Sequence, residues 1–327
     1  MASQVSGAEH ILITGGAGYI GSIAAHLLIS QGVDVTVIDD CSTGHSEDVP
    51  SKAKFVQGTL QDRNAIREAL KDCTSVIHFA GKSLVNESVM HPDLYWQINV
   101  EGSRNLIEEM NNARIARLIF SSSASTYGNP GTVPIAEDAP TRPTNPYGET
   151  KLAIEAMLSL ESSVTGLACI SLRYFNVSGA LETAAGWIGE RHDPETHLIP
   201  NTLRSTNARP MKIFGSHWIT PDGTCVRDYV HVIDLVDAHI AALNALTPSQ
   251  HEIFNLGSGR GYSVREVLQT ASEVLGYGIA QVDAPMREGD PAILVADISK
   301  ARSALNWEPT RDLRKMIEDS AQLIGLI

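Results

Sequence analysis

The sequence predicts an α/β fold with a doubly wound parallel sheet, followed by a smaller α/β lobe. Three observations lead to this prediction. In the first half of the chain, short apolar runs alternate with longer segments of helical periodicity. A glycine-rich turn at residues 15–21 joins the first apolar run to the first helical segment. After Val177 the periodicity weakens and Gly, Ala and charged residues increase, which marks a second lobe; 327 residues are enough for both.

The first strand–helix–strand unit has the sequence of a dinucleotide site. Strands at 10–14 and 33–38 flank a helix that begins with three glycines, spaced GxxGxxG, in residues 15–21. Glycine permits positive φ and close approach of the backbone to a pyrophosphate, which lies at the positive end of the helix. At the end of the second strand, Asp39 can accept hydrogen bonds from a ribose, and with Asp40 it would repel a 2′-phosphate. The unit therefore predicts a Rossmann-type fold that prefers NAD to NADP.

The alternation of strands and helices continues through the first lobe. Strands are predicted at 54–57, 75–81, 117–120 and 167–176, and helices at 62–71, 92–111 and from 146 to about 166. The strand at 117–120 runs into Ser121, Ser122 and Ser123. Because ligands bind beyond the carboxyl ends of parallel strands, the glycine turn and this serine run are expected at one functional edge.

The helix after Pro146 carries a candidate base. Asn145 has the position of an N-cap with proline at the first helical residue, and an apolar-periodic segment follows. Tyr147 and Lys151 are then four residues apart on one helix face. An ammonium beside a phenol lowers the phenol's pKa from its usual value of about 10. On its own such a pair is more often an ordinary half-exposed one, so its meaning depends on the rest of the chain.

The second half divides less clearly. A helix is predicted after residues 197–200, with further helices at 234–246 and 263–276, and a strand at 252–257 is expected to return to the sheet. The predicted organisation is a disordered leader at 1–10, a NAD-binding Rossmann domain at 11–177 joined by a returning segment around 225–262, and a substrate-binding domain at 178–327.

Charge and composition exclude several classes of protein. A net charge of −13 argues against binding to nucleic acid or to an anionic membrane. No apolar run is long enough to span a membrane, and the leader has no signal-peptide pattern. Four scattered cysteines without a CxxC pair are typical of reduced thiols in a cytoplasmic protein.

The histidines do not suggest a metal centre. The closest group by spacing is His231, Asp234, Asp237 and His239. We interpret it as a solvated helix face and predict no metal.

Several segments carry a resemblance to a known family. Ser123, Tyr147 and Lys151 behind a GxxGxxG turn are similar to the extended short-chain dehydrogenase/reductase superfamily. Within it, nearly the whole chain resembles the UDP-glucose 4-epimerase family, also called UDP-galactose 4-epimerase. The discriminating segments are RYFNVSGA, DGTCVRDYVHV and REGDPA. The resemblance implies that residues 178–327 bind a UDP-sugar.

The resemblance also implies a mechanism. Tyr147 would take the proton from the sugar 4-hydroxyl while the hydride at C4 moves to NAD. Lys151 would bind the nicotinamide ribose and, with the cationic ring of NAD, lower the pKa of the phenol, and Ser123 would relay the proton. The 4-keto sugar would then turn over and accept hydride on its other face. Since net redox is zero, NAD is expected to stay tightly bound.

The family positions that match this chain form two sets. The cofactor set is Gly15, Gly18, Tyr19, Ile20, Gly21, Asp39, Asp40, Thr43, Thr59, Leu60, Phe79, Ala80, Gly81, Lys82, Asn99, Ser121, Tyr147, Lys151 and Tyr174. The UDP-hexose set is Ser123, Tyr147, Asn176, His197, Leu198, Phe214, Arg227, Arg287, Asp290 and Leu294. The two arginines Arg227 and Arg287 suit a diphosphate, because guanidinium pairs bidentately with phosphate oxygens.

Three positions depart from the family pattern. Thr59 replaces an aspartate that often binds adenine, so that contact would carry no charge. The basic residue after Gly81 is Lys82, with Ser83 where some members have lysine, which leaves open which of the two contacts NAD. Leu294 replaces a tyrosine found in some members beside the sugar, and the smaller side chain leaves room for an N-acetyl group.

Alternative functions remain open at this point. One is another NAD-dependent nucleotide-sugar enzyme, acting on UDP-N-acetylhexosamine or UDP-hexuronate; a dehydratase is disfavoured, because no Asp-Glu pair follows Ser123. A non-catalytic dinucleotide-sensing protein is disfavoured because Ser123, Tyr147 and Lys151 are all present. Family members commonly pair the helices corresponding to 92–111 and 147–166 in a four-helix bundle, so a homodimer is expected.

Overall fold

The structure is a computed structural model, and it describes residues 4–5, 9–287 and 290–327. Residues 1–3 and 6–8 of the predicted leader, and two residues of the REGDPA segment, lie outside the described residues. His10, the last residue assigned to the leader, already belongs to the first strand.

The described residues form strands and helices throughout the chain. The strands are β1 (His10–Thr14), β2 (Asp34–Asp39), β3 (Lys54–Gln57), β4 (Ser75–His78), β5 (Arg117–Ser123), β6 (Ala168–Tyr174), β7 (Asn176–Ser178), β8 (Ala180–Thr183), β9 (Gly186–Gly189), β10 (Met211–Phe214), β11 (Val226–His231), β12 (His251–Leu256), β13 (Gly261–Ser263), β14 (Gln281–Ala284) and β15 (Ile293–Leu294). The α-helices are α1 (Tyr19–Ser30), α2 (Arg63–Ala69), α3 (Val85–Met90), α4 (Pro92–Tyr95), α5 (Gly102–Ala113), α6 (Pro146–Thr165), α7 (Leu198–Leu203), α8 (Val232–Ala245), α9 (Val264–Leu275), α10 (Ser299–Leu305) and α11 (Leu313–Leu323).

A seven-stranded parallel sheet forms the centre of the molecule. Its strand order is β12-β6-β5-β4-β1-β2-β3, and each neighbouring pair is parallel. The inner strands are continuous apolar runs, such as Ile11, Leu12 and Ile13, because helices cover both faces of the sheet. The predicted doubly wound α/β fold is thus confirmed. The late strand β12 pairs with β6, so a segment from the second half of the chain completes the sheet.

Helix α6 begins and ends where the local signals predict. The side chain of Asn145 accepts a hydrogen bond from the backbone N–H of Gly148 at 2.9 Å, and Pro146 is the first helical residue. Gly166 ends the helix in the left-handed conformation, with φ +84°. Tyr147, Lys151 and Glu155 are buried at successive turns of this helix, which faces β5 and β6.

The predicted long helix at 92–111 is present, since residues 92–113 are helical throughout, but it is not a regular α-helix. The structure has α4, a π-helical segment at Trp96–Glu101, and then α5, with α3 as an additional helix before them. Asn99 lies in the π-helical segment, and its side chain is bonded to the backbone of Lys82 and to the hydroxyl of Thr150. Such π segments often occur at functional sites, and apolar periodicity does not reveal them.

Short strands build the second lobe. Strand β11 pairs with β7, β13 and β15, while β8 pairs with β9 and β10 pairs with β14. The core here includes Tyr229 and Tyr262 packed with residues of α9 and α11. Strands of two to four residues have no clear alternation of their own, so the sequence did not predict them. Within the described part of the chain, no helix has the length and apolar character needed to cross a bilayer.

Candidate active site

The carboxyl ends of β5 and β6 bring the predicted catalytic residues together. Ser123 is the last residue of β5 and lies opposite Tyr174 in the register of β6. Tyr147, in the first turn of α6, is close enough to Ser123 for a hydrogen bond between the two hydroxyl groups. The Lys151 ammonium donates to the carbonyl of Ser121 at 2.8 Å and lies 5.7 Å from the centre of the Tyr147 ring. The three side chains therefore form one buried group.

Burial acts against ionisation of Tyr147. It raises the pKa of the phenol above its usual value, and the hydrogen bond with Ser123 partly offsets the increase. In the chain alone burial therefore dominates the pKa of this phenol, and the expectation that Lys151 lowers it together with the cationic ring of NAD stays a prediction. Ionisation of the phenol requires positive charge nearby, and Lys151 is the cation that the chain itself places beside the ring.

Lys151 should limit activity in alkaline solution. Burial lowers the pKa of its ammonium to about 8, against the opposing effect of Glu155, so the cation is present below this pH and lost above it. We therefore expect the rate to fall as pH rises through about 8, measured as kcat/KM against pH. The control is Lys300→Met, at a surface lysine paired with Glu252, which should show the same fall in rate above about pH 8 as the unmodified protein. A rate that stays level well above this pH would contradict the assignment.

A buried ion pair lies next to the catalytic group. Glu155 accepts two hydrogen bonds from the Arg173 guanidinium, at 2.6 and 2.9 Å, and one from Ser122 at 2.5 Å. Both charged side chains are 4% exposed. Because Ser122 and Arg173 are opposite each other on β5 and β6, the pair fixes α6 against the strands that carry Ser121 and Ser123. Sequence reasoning missed this pair, although a glutamate four residues after Lys151 on the same helix face was a usable signal.

The glycine turn has the geometry of a dinucleotide site. Gly15 has φ +71°, and a Cβ there would lie 2.6 Å from the backbone nitrogen of Ala80. A Cβ at Gly21 would lie 2.2 Å from the carbonyl oxygen of Gly15. The N-terminus of α1 follows at Gly18 without a side-chain cap, which leaves backbone N–H groups directed at a phosphate position. The turn therefore has no space for a side chain at Gly15 or Gly21. Such a tight turn allows the backbone to approach a pyrophosphate closely.

Carboxylates and polar groups border this turn. Asp39 ends β2, where its carboxylate accepts from the backbone N–H groups of Ala17 at 2.9 Å and Cys41 at 2.8 Å. These bonds hold the carboxylate beside the glycine turn, where a ribose would lie. Three predicted positions that follow β2 and β3 are partly or fully exposed: Asp40, Thr43 and Thr59. Leu60, which comes next after Thr59, is buried.

Residues after β4 continue the cofactor site. Phe79 and Ala80 are partly buried there, and the Asn99 amide bonds both the N–H and the carbonyl of Lys82. The Lys82 ammonium is paired with Glu87 at 2.9 Å. The structure therefore brings the backbone of Lys82 to the site and engages its side chain elsewhere. That one of the two residues Lys82 and Ser83 contacts NAD stays a prediction.

Two tyrosines complete the predicted cofactor set. Tyr174 and Ser121 share a hydrogen bond between their hydroxyl groups, which places Tyr174 beside the carbonyl that binds Lys151. Tyr19, which follows the glycine turn together with Ile20, donates from its hydroxyl to the carbonyl of Gly179 at 2.7 Å. Burial raises the pKa of both phenols, so both remain neutral.

The second lobe contains a cavity of about 530 Å³ beside β7. Seven of the predicted substrate residues line it: Asn176, His197, Leu198, Phe214, Arg227, Arg287 and Asp290. The other three predicted substrate residues do not line it: Ser123, Tyr147 and Leu294. Leu294 is nevertheless next to the cavity, because it pairs with Arg227 across β15 and β11. Asn176, which lines the cavity, follows Tyr174 by two residues. The lining of the cavity therefore begins two residues beyond Tyr174, which is opposite Ser123 in the sheet.

Cations dominate the charged lining of this cavity. The Arg287 guanidinium carbon lies 3.8 Å from the centre of the Phe214 ring, a stacked cation–π contact. Arg227 donates to the carbonyl of Val226 and lies 3.8 Å from Asp290. Sequence reasoning missed three further lining cations, Arg204, Arg209 and Lys212. Their clustering after residues 197–200, in a strongly acidic chain, was the available signal. Such a cavity suits a ligand with several negative charges.

The interpretation of the group around His231 as a solvated helix face is wrong. His231 and His239 are fully buried, and Asp234 is 2% exposed. Each is engaged with a neighbour: His231 with Asp319, Asp234 with Thr310 and Arg311, and His239 with the carbonyl of Leu235. The apolar side of α8 covers the sheet, which draws these polar residues inside with their partners.

Comparisons with known proteins identify the family. The family model described as "NAD dependent epimerase/dehydratase family" matches residues 11–257. A UDP-glucose 4-epimerase of Corynebacterium glutamicum is 48% identical over 315 residues, which cover 95% of this chain and 94% of the relative.

Solved structures give the same result. That of UDP-glucose 4-epimerase from Brucella ovis in complex with NAD is 40% identical, with a TM-score of 0.90 over 96% of this chain and 98% of that one. The enzyme from Bifidobacterium longum, in complex with NAD+ and UDP, is 32% identical, with a TM-score of 0.88 over 97% and 98% of the two chains. From its sequence, its fold and its site, this chain belongs to the UDP-glucose 4-epimerases of the NAD-dependent epimerase/dehydratase family.

Proposed function

We propose that this enzyme interconverts UDP-galactose and UDP-glucose at C4 of the hexose, with NAD bound at the glycine turn. The observation that carries the proposal is the buried group of Ser123, Tyr147 and Lys151 at the end of β5, next to the strand that leads through Tyr174 to Asn176 in the cation-lined cavity. NAD, when bound, supplies reversible oxidation at the sugar carbon. The chain supplies the proton transfer and the anchor for the nucleotide.

Each catalytic residue has one role in this reaction. Tyr147 takes the proton from the 4-hydroxyl group and returns it to the same oxygen after the sugar has turned over. Ser123, which is within hydrogen-bond reach of the phenol, holds that oxygen and passes the proton. Lys151 provides the positive charge that stabilises the phenolate. A single fixed base can serve both C4 epimers only if the hexose turns while the nucleotide stays in place.

The cavity in the second lobe is the anchor for the nucleotide. Arg227 and Arg287 bind the diphosphate, and Phe214 with Leu198 provides apolar contacts for the uridine. Bidentate guanidinium bonds to phosphate fix position strongly, whereas the hexose beyond them is held by few groups. This difference lets the sugar rotate during the reaction.

Conversion of UDP-galactose by purified protein, without added NAD, tests the proposed function. The product, separated by ion-exchange chromatography, should be UDP-glucose, because bound NAD is regenerated in each turnover. Protein that contains intact NAD but forms no product would overturn the proposal and favour a dinucleotide-sensing role.

Turnover of UDP-N-acetylglucosamine is a further part of the proposal. Leu294 is half-buried and next to Arg227, and its side chain is smaller than tyrosine. We expect measurable turnover of this substrate, and loss of it in Leu294→Tyr with UDP-galactose turnover retained. If the unmodified protein shows no detectable turnover of UDP-N-acetylglucosamine, this substrate is excluded. A UDP-hexuronate substrate is the remaining alternative, for which an additional cation beside the sugar carboxylate would be needed.

A homodimer is also proposed. Large apolar side chains are exposed on α3, on the π-helical segment and on the last turns of α6: Val89, Met90, Trp96, Leu160 and Val164. A second copy of the chain, related by a two-fold axis, would cover this surface. Sedimentation at micromolar concentration should give a dimer that Leu160→Glu with Val164→Glu converts to a monomer. A monomeric unmodified protein would exclude the dimer.

Location and domain organisation complete the proposal. The cysteines Cys41, Cys73, Cys169 and Cys225 are all free, which supports a cytoplasmic location. The division into a NAD-binding domain at 11–177 with a returning segment around 225–262, and a UDP-sugar domain at 178–327, is supported by the pairing of β12 with β6. Neither nucleic acid nor a membrane is proposed as a partner, since the net charge is −13.

A further inference from the structure

Residues 190–197 gather imidazole and carboxylate groups at the edge of the substrate cavity. His192 Nδ1 contacts Glu190 Oε1, and His197 Nδ1 lies 3.8 Å from Glu190 Oε2. The two imidazole rings are 5.8 Å apart between centres. Glu190, His192 and His197 each offer a ligand atom, and these atoms all lie within 4.8 Å of one another. This cluster is separate from the group around His231.

The spacing of these atoms suits a divalent cation. Zinc binds histidine nitrogen and carboxylate oxygen at about 2.0–2.2 Å, so neighbouring ligand atoms of a tetrahedral site are about 3.4 Å apart. The separations between Glu190 and the two histidines extend from direct contact to 3.8 Å, which brackets this value. All three ligand atoms lie within 4.8 Å of one another, which is close enough for them to share one ion.

An unsatisfied buried atom provides a second, independent observation. Among the described residues, Glu195 Oε2 is buried and has no hydrogen-bond partner. The Glu195 side chain is 5% exposed; its Oε1 accepts from the N–H groups of Thr196 and His197 and from His197 Nδ1, while Oε2 lies 3.7 Å from Arg204. Buried polar atoms in folded proteins are normally paired, so this open carboxylate oxygen, on a side chain bonded to His197, indicates a missing partner beside the cluster. Glu195 also adds negative charge that favours a cation here.

We propose that Glu190, His192 and His197 bind one divalent cation of the zinc type. Two nitrogen donors and one oxygen donor match zinc and its transition-metal neighbours better than magnesium, which prefers oxygen ligands. The site is structural and goes beyond the proposed epimerase reaction. His197 lines the substrate cavity, and Arg191 is paired with Asp48 of the first lobe. A bound ion therefore fixes residues 190–197, which contact both the cavity and the first lobe.

Zinc content tests the proposal directly. Full-length protein without a histidine tag is treated with a chelator, dialysed against zinc and then against buffer, and its metal is measured by atomic emission. We expect about one zinc ion per chain, and its loss in both Glu190→Gln and His192→Ala. His217→Ala, at an exposed histidine outside the cluster, should keep the full amount.

Cobalt provides a second measurement. The unmodified protein loaded with Co²⁺ should show the intense visible bands of a four-coordinate site, and His192→Ala should not. Far-ultraviolet circular dichroism checks that the variants are folded, and the milder His192→Gln replaces His192→Ala if that variant is not. Substoichiometric zinc in the unmodified protein, or full zinc in both cluster variants, would overturn the proposal. Because the measurement is metal content, the result does not depend on epimerase activity.

Discussion

Tyr147→Phe should lower kcat by about 10²- to 10⁴-fold while NAD stays bound, since it removes the proposed general acid–base and keeps the ring. The phenylalanine ring fills the same buried space in the first turn of α6, so the fold and the contacts of Lys151 are preserved. The measurement is the rate of UDP-galactose conversion, together with NAD released from denatured protein.

Tyr277→Phe is the matched control. Tyr277 is 54% exposed, and the same loss of a hydroxyl group there should change neither the rate nor the NAD content. If Tyr147→Phe keeps a rate within a few-fold of the unmodified protein, another group is the base. Loss of NAD from the variant would instead indicate a role for the phenol in holding the cofactor.

Arg173→Met should reduce the free energy of unfolding by about 3–5 kcal/mol, because it leaves the Glu155 carboxylate buried without its partner. Burial prevents water from replacing the two guanidinium hydrogen bonds, and Ser122 alone cannot balance the charge. Urea unfolding followed by tryptophan fluorescence measures the difference.

Two further variants make this measurement specific. Arg314→Met removes an exposed arginine–glutamate pair, with side chains 47% and 49% exposed, and should cost less than about 1 kcal/mol. The double variant Arg173→Met with Glu155→Met should recover most of the loss, because two apolar side chains then fill the space. Equal effects of Arg173→Met and Arg314→Met would show that the buried pair contributes no more than a surface pair.

Local signals in the sequence were sufficient for the first lobe. Asn145 and Gly166 marked the ends of α6 because capping depends on the residues at the helix ends. The glycine turn and Asp39 were found because their spacing follows from one strand–helix–strand unit. The confirmed family assignment supplied the remaining cofactor and substrate positions, whose individual roles stay predictions.

Features that depend on tertiary contacts could not be predicted in the same way. The partner of Glu155 is Arg173, on a strand whose neighbour is known only once the sheet is formed. The π-helical segment is stabilised around Asn99 by contacts with residues far away in sequence, and periodicity had indicated a regular helix. Likewise, the polar residues around His231 were taken as exposed because burial with partners cannot be read from spacing.

The cations of the substrate cavity have a consequence for how a dianionic substrate approaches an acidic enzyme. The protein carries a net charge of −13, which repels the substrate at long range when salt is low. At physiological ionic strength this repulsion is screened beyond about 8 Å, whereas the five cationic side chains at the cavity act at contact distance. Moderate salt should therefore speed association, and only higher salt, which weakens the contacts with phosphate, should loosen binding. The cations of the cavity thus act at short range, where the net negative charge of the protein is screened.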